Sequence, residues 1–211
     1  MKASLIAIEG IDGSGKTTQV NLVAQYLTRQ NIPHQVINFP RYGENIYAGL
    51  ITRYLAGKFG SNVNPYLIAL AYAGDRFLAK PLIESWLQEG KVVLANRYVS
   101  SSKAHLGANL PEDKKEEFLS WLEKLEYQTN QMPKPGLTIL LKVDPAVGQS
   151  NVLKDHPVDI HEKNEEHGQI SAQIYDELAQ LEGWKVVDCM ENGKMRKQEE
   201  ISKMVIEIFR I

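Results

Sequence analysis

Apolar positions along this chain follow two rhythms that alternate from one end to the other. Residues 4–8 form a continuous apolar run too short for a helix and suited to a strand buried on both faces. Runs at 34–39, 91–95, 137–143 and 184–189 predict four more strands. The second rhythm is helical. Val20, Leu22, Val23, Tyr26 and Leu27 recur at that spacing within 16–30, and similar patterns cover 46–55, 112–129, 170–181 and 199–209. Residues 65–88 share the pattern, but Gly74 and Pro81 interrupt it, which predicts two helices or one kinked helix. Asp144-Pro145 has the form of a helix start, with the Asp as cap and Pro at the first helical position. Strands that alternate with helices imply an α/β, three-layer architecture: a five-stranded parallel sheet with helices on both faces.

The chain has 211 residues, enough to bury roughly 70% of its unfolded surface without disulfides or a structural metal. No repeat or linker divides it, so 1–211 reads as a single domain. Its 24 Lys and Arg residues against 26 Asp and Glu leave a formal charge of −2. That balance supplies no basic field for nucleic acid, and an anionic ligand has to be held by a few placed groups. The only cysteine, Cys189, excludes an intrachain disulfide and reads as a core thiol within an apolar run. No apolar run approaches the roughly 18 residues that span a bilayer, and the N-terminus lacks a signal-peptide pattern. The reading is therefore cytoplasmic, with no membrane partner. Residues 149–169 are the least apolar and read as a solvated, mobile excursion, and its His156, His161 and His167 follow no compact metal-ligand spacing.

Chemistry enters at residues 10–17, Gly-Ile-Asp-Gly-Ser-Gly-Lys-Thr, which match the G-x-x-x-x-G-K-[ST] phosphate loop between the first predicted strand and helix. Gly10, Gly13 and Gly15, with Ser14 between them, let backbone N–H groups turn around a phosphate, and the helix N-terminus adds positive potential. Lys16 is expected to reach the β- and γ-phosphates, the Thr17 hydroxyl to ligate Mg²⁺, and Thr18 to complete the phosphate-binding set. A nucleoside triphosphate is the implied ligand.

What receives a phosphoryl group depends on a second set of residues. Asp12 lies inside the loop, where phosphates repel a carboxylate unless it turns away toward a sugar hydroxyl. Phe39-Pro40-Arg41 follows the second strand, at the carboxyl edge where open parallel sheets bind ligands, and Arg41 is placed to grip an anion. Tyr72 and Arg76 stand four apart on one helix face. Either they stack on a base and hydrogen-bond its edge, or Tyr72 is core and Arg76 pairs with Asp75 or Glu84. Asn96-Arg97 ends the third strand, where P-loop enzymes usually place a carboxylate that steadies the magnesium shell, and here that residue is an amide.

The stretch from Glu9 to Thr18, Phe39-Pro40-Arg41, Asp75-Arg76, Arg97-Tyr98 with Ser101 and Ser102, Val143-Asp144-Pro145, and Asp159-Ile160-His161-Glu162 follow one another in an order and spacing that resemble the thymidylate kinase family of P-loop nucleoside monophosphate kinases. The resemblance covers nearly the whole length. It implies the P-loop NTPase fold and transfer of the γ-phosphoryl group of ATP to dTMP, giving dTDP and ADP, with Mg²⁺ as cofactor. It also implies catalytic roles for Lys16, Arg41 and Arg97, the two arginines holding the monophosphate. Asp12 would accept from the sugar 3′-hydroxyl, Phe39 would belong to the dTMP site, Tyr72 would stack on the base with Arg76 at its edge and Ser101 or Ser102 nearby, and Asn96 would reach the metal through water. Residues 39–76 would form the acceptor region and 149–166 a lid over ATP. Members of the family are commonly homodimers.

Four features depart from the family pattern. Asn96 stands where Asp is usual, Leu106 replaces a Gln often seen near the base, and Lys142 occupies a position that is often Asp. The family places a catalytic arginine in the phosphate loop or the lid, whereas here the loop has Gly13-Ser14 and 149–169 contains no arginine. Lys154 is the nearest cation and lacks arginine's planar fork. Such an arginine is worth about 10³ to 10⁵ in rate in related chemistry. Two alternatives therefore stay open: a P-loop kinase for another pyrimidine nucleotide or nucleoside, and a catalytically weak ATP-dependent switch. Adenine contacts are expected from the lid side and from 192–195.

Overall fold

A computed structural model describes residues 3–60, 62–155 and 165–209. Five strands, β1 (Ser4–Glu9), β2 (His34–Asn38), β3 (Val92–Asn96), β4 (Leu137–Lys142) and β5 (Lys185–Asp188), form one parallel sheet in the order β2-β3-β1-β4-β5. Their side chains alternate between two covered faces. From β1, Ile6 and Ile8 pack with Val20, Val23 and Leu27 of α1 (Lys16–Arg29) and with Ile201 and Val205 of α8 (Gln198–Ile208). Leu5 and Ala7 face the opposite layer, against Ala79 and Ile83 of α3 (Pro65–Gln88) and Val99 of α4 (Val99–Gly107). The three-layer fold expected from the alternation is the fold observed.

The remaining elements adjust the expected boundaries. α2 is Ile46–Leu55, α5 is Glu112–Glu123, α6 is Pro145–Asp155 and α7 is Glu165–Glu182. Asp144 caps α6 as expected, its Oδ1 accepting from Ala146 N at 2.9 Å. The interrupted pattern at 65–88 is a single helix that runs through both Gly74 and Pro81. Proline there removes the bond to the carbonyl of Phe77, and that side of the helix faces solvent, with Phe77 and Leu78 about half exposed. The helix expected over 112–129 changes at Lys124 into a π-helical segment, Lys124–Thr129. The expected excursion is partly helical: 149–155 belong to α6 and 165–169 to α7, while 156–164, with His156, Asp159, His161 and Glu162, lie outside the described residues. A short hairpin, β6 (Met190–Glu191) with β7 (Lys194–Met195), was not expected, although Asn192-Gly193 is the dipeptide that favours such a turn and both residues have positive φ.

Register places the chemistry. Ile8 is level with Asn96 and Asn38 is level with Asn96 in turn, so β1, β2 and β3 end together. The phosphate loop, Phe39-Pro40-Arg41 and Arg97 therefore leave one edge of the sheet side by side.

Candidate active site

At this edge lies one open cavity of about 950 Å³. Its floor is the phosphate loop, from which Asp12, Gly13, Gly15, Lys16, Thr17 and Thr18 reach the surface of the cavity. Gly13 and Gly15 have φ of +73° and +84°, a backbone that suits glycine. Lys16 curls over the loop, with Nζ donating to Ile11 O at 2.7 Å and Ser14 Oγ at 3.3 Å. Gly10 and Ser14 do not line the cavity. They shape the loop from behind: a Cβ on Gly10 would meet Leu141 O at 2.7 Å, and the Ser14 hydroxyl accepts from Lys16.

One wall carries Phe39, Tyr72, Arg76, Arg97, Ser101 and Ser102, six of the residues expected around the acceptor, with Tyr98 and Leu106. Arg97 adopts a left-handed backbone, φ +65°, uncommon for a residue with a side chain and the kind of strain that collects at functional sites. Its guanidinium is ion-paired with Asp12 and donates through Nη1 to Ser101 Oγ at 3.2 Å. Burial opposes the charge on Arg97, but the Asp12 carboxylate together with Tyr175, Glu9 and Tyr42 outweighs it, and the pKa is raised. The puzzle of a carboxylate inside the phosphate loop thus has a physical answer, since Asp12 faces a cation. Ser101 is anchored in turn by fully buried Glu9, whose Oε2 accepts from the Ser101 hydroxyl at 2.6 Å and from Tyr175 at 3.1 Å, while Oε1 accepts from Tyr98 N.

Two expectations for arginine are corrected. Arg41 is not brought to the cavity wall: its Nε and backbone N donate to the two Asp75 oxygens at 3.0 and 2.9 Å, and its Nη2 donates to Asp75 O at 2.8 Å. In this structure it ties the start of the acceptor region to α3. Arg76 does line the cavity, but its partner is neither Asp75 nor Glu84. Glu126, from the π-helical segment, accepts from Nε at 2.9 Å and Nη2 at 2.6 Å, and Nη2 also donates to Ser102 Oγ at 2.9 Å. A partner 50 residues away leaves no mark in local spacing.

The opposite wall is formed by Asn151 and Val152 of α6 and by Met195, Arg196, Lys197 and Gln198, which begin at the last residue of the stretch expected to meet adenine and run on beyond it. Asn151 Nδ2 bridges Gly13 O at 3.1 Å and Met195 Sδ at 3.2 Å, joining α6, the phosphate loop and the hairpin. His105 lines the cavity as well, a position that the pattern marks only through the spacing of four between Arg97, Ser101 and His105. Leu106 is buried at the cavity wall among helix-packing residues, and Lys142 pairs outside the cavity with Asp176 at 2.7 Å. Cys189 is buried, as expected of a core thiol.

The residues present also fit a magnesium ion. Asn96 Nδ2 donates to Thr17 Oγ1 at 3.1 Å and Asn38 Oδ1 at 3.0 Å, which leaves the buried Asn96 Oδ1 as an acceptor with no partner beside the Thr17 hydroxyl. A hard cation bound to phosphate keeps oxygen ligands and several waters, and an orphan amide oxygen suits such a water. Among the described residues, no group of three or more His, Cys, Asp or Glu side chains forms a metal site of its own. No described helix is long and apolar enough to cross a membrane.

A glycine-rich loop between the central strand and its helix, with a second ligand wall across the same cavity, defines a P-loop NTPase-fold phosphotransferase. The family model described as thymidylate kinase matches residues 8–201. The thymidylate kinase of Mycobacterium tuberculosis is 30% identical over 187 residues, covering 85% of this chain and 87% of the relative. A probable thymidylate kinase of Pyrobaculum aerophilum is 32% identical over 208 residues, covering 98% and 96%. The solved thymidylate kinase of Candida albicans has the same fold, with a TM-score of 0.78 at 22% identity over 99% of this chain and 92% of that one. The chain belongs to the thymidylate kinase family.

Proposed function

We infer that the chain transfers the γ-phosphoryl group of ATP to dTMP, giving dTDP and ADP. The observation that carries this reading is the single cavity shared by the phosphate loop and the Phe39–Tyr72–Arg76–Arg97 wall. An oxygen of the acceptor monophosphate attacks the γ-phosphorus, the bond to the β,γ-bridging oxygen breaks, and ADP leaves. Catalysis then consists of positioning and charge neutralisation, with Lys16 on the donor phosphates and Arg97 on the acceptor phosphate. Asp12, paired with Arg97, is assigned as the acceptor for a sugar 3′-hydroxyl. Thr17 and Asn96 would hold Mg²⁺, which neutralises phosphate charge when bound. Residues 149–166 are assigned as the lid and 39–76 as the acceptor region of a single domain.

Turnover of the purified protein with MgATP tests this, compared across dTMP, dUMP, dCMP, UMP and thymidine. dTDP formation that Lys16→Ala abolishes supports the reading, and no dTDP overturns it. Leu106 favours a second reading, in which another pyrimidine is the better acceptor, because an apolar side chain at the cavity wall offers the base no hydrogen bond. The same panel separates the two.

We further infer a homodimer through α2 and α3. Leu67, Leu70, Phe77, Leu78 and Leu82 are 44–66% exposed on α3, beside Ile46 and Leu50 of α2. A contiguous apolar stripe of this kind fits a second copy of the chain. Light scattering should report a dimer that Leu70→Glu with Phe77→Glu converts to a folded monomer, and a monomeric wild type overturns the assignment.

A further inference from the structure

We propose that His105 is a positioning residue for Arg97, and that it ties the setting of that arginine to the first turn of α7. The proposal rests on reading Arg97 as the cation of the acceptor phosphate. Arg97 Nη1 carries two protons. One reaches Ser101 Oγ at 3.2 Å, and the other reaches His105 Nε2 at 3.1 Å. A ring nitrogen that accepts from a guanidinium must offer a lone pair, so His105 is neutral here with its proton on Nδ1. The opposite edge of the guanidinium, Nη2, meets Asp12.

The two edges differ in what holds them. Asp12 sits on the phosphate loop, which lines the cavity with Lys16 and Thr17. Ser101 and His105 lie on α4, with Ser101 locked from behind by buried Glu9 and Tyr175. The His105 ring stacks on His167, centroids 5.8 Å and planes 24° apart, and meets the Tyr175 ring edge-on at 5.9 Å. His167 is buried in the first turn of α7, with Nε2 2.8 Å from the carbonyl of His105. That turn is where the chain returns from residues 156–164. Nη1 therefore keeps the guanidinium plane fixed by α4, while Nη2 is the edge presented to an arriving phosphate. Orientation supplied in advance by the protein is not lost as entropy on binding. Among the described residues, the charged and titratable groups around the ring include Arg97, Asp12, Tyr175, His167 and Glu165, the last lining with His105 a small cavity beneath α6.

Two variants of the full chain separate the acceptor from the ring. His105→Phe keeps a flat ring against His167 and deletes the acceptor, and His105→Gln restores an acceptor without the ring. His105→Phe is expected to raise the KM for dTMP about tenfold, as loss of a charge-assisted hydrogen bond does, while the KM for ATP stays within twofold. His105→Gln should recover most of that loss. In the ligand-free protein, exchange of the Arg97 guanidinium protons followed by ¹⁵N NMR should become at least tenfold faster in His105→Phe and stay slow in His105→Gln. A dTMP KM or an exchange rate unchanged in His105→Phe overturns the proposal, as does a His105→Gln no better than His105→Phe. Wild-type protein that makes no dTDP, with exchange that still responds to His105→Phe, would overturn the kinase reading and leave the positioning role standing.

Discussion

Arg76 and Glu126 form an ion pair almost without exposure, in which Nε and Nη2 of the arginine share one oxygen, Glu126 Oε1, while Oε2 is buried with no partner. Burial opposes the charge on Arg76, and the carboxylate beside it outweighs burial, so its pKa is raised. The same arginine lines the acceptor wall. A buried ion pair and a place on the proposed acceptor wall thus meet in one side chain, and the two can be tested apart.

Arg76→Ala leaves Glu126 as an uncompensated buried charge and should cost about 3–5 kcal/mol in urea unfolding. Discrimination between dTMP and dCMP should fall as well, because a polar edge that pairs with one base rejects another that leaves it unpaired. Arg76→Met with Glu126→Leu should recover most of the stability but none of the discrimination. If the double variant still prefers dTMP, Arg76 serves only the core.

What the sequence shows and what it hides divide along the range of the interactions. Strand runs, the phosphate loop, the Asp144 cap and the core position of Cys189 rest on neighbours within a few residues, and their pattern is visible in any window. The partners of Arg41 and Arg76 lie 34 and 50 residues away. Both arginines sit close to other carboxylates in sequence, so local spacing points Arg76 to Asp75 or Glu84 when the fold turns it to Glu126. Pro81 misleads for a related reason: its cost depends on whether the freed carbonyl faces solvent, which only the packing of α3 decides.

A side chain at position 13 is forbidden by α6. A Cβ on Gly13 would fall 2.0 Å from Gly148 O, and one on Gly148 would fall 2.7 Å from Asp12 O. The loop arginine seen in part of the family therefore has no room in this arrangement, because the two glycines let α6 lie directly on the phosphate loop. Gly13→Ala should reduce turnover at least a hundredfold and weaken ATP binding in calorimetry. Gly90→Ala, in the turn after α3, is the control, with similar positive φ but nothing within 4 Å of the added carbon. It should cost only about 1–2 kcal/mol of backbone strain and leave kcat unchanged.

Burial, with a smaller contribution from Asp188, pushes the Cys189 thiol from 9.0 up to about 12. The unfolded chain loses this proton near 9 while the folded protein keeps it, so folding binds a proton throughout that window. Stability is then complete below pH 9 and declines as pH rises toward 12, by up to about 1.4 kcal/mol per unit from this group. The buried tyrosines Tyr98, Tyr127 and Tyr175, all raised chiefly by burial, add slope of the same sign. Cys189→Ala should reduce the pH slope of urea unfolding between pH 9 and 11, and alkylation of the native thiol at pH 8 should proceed no faster than unfolding. Rapid alkylation of folded protein would show an accessible thiolate.

Asn96 is the residue we assign to the water shell of the metal. Its amide donates to Thr17 and Asn38 and keeps one buried oxygen without a partner, so it offers a lone pair to a metal-bound water but no charge. In Asn96→Asp the carboxylate keeps that oxygen and adds a negative charge within reach of the cation, while Lys16 and Arg97 line the same cavity and offset the repulsion from phosphates. The magnesium concentration for half-maximal rate should fall about three- to tenfold. The substitution also removes both donated hydrogen bonds and buries a charge, so the free variant should melt at a lower temperature in EDTA than wild type. MgADP should raise the melting temperature of the variant by more than it raises that of wild type, a readout that needs no turnover. If Glu9 instead already supplied the local charge, a second carboxylate would crowd the triphosphate. Glu9 is committed to Tyr98 N, Ser101 and Tyr175, which argues for the lowered requirement. A magnesium titration that returns an unchanged or higher requirement for the variant would remove Asn96 from the metal shell.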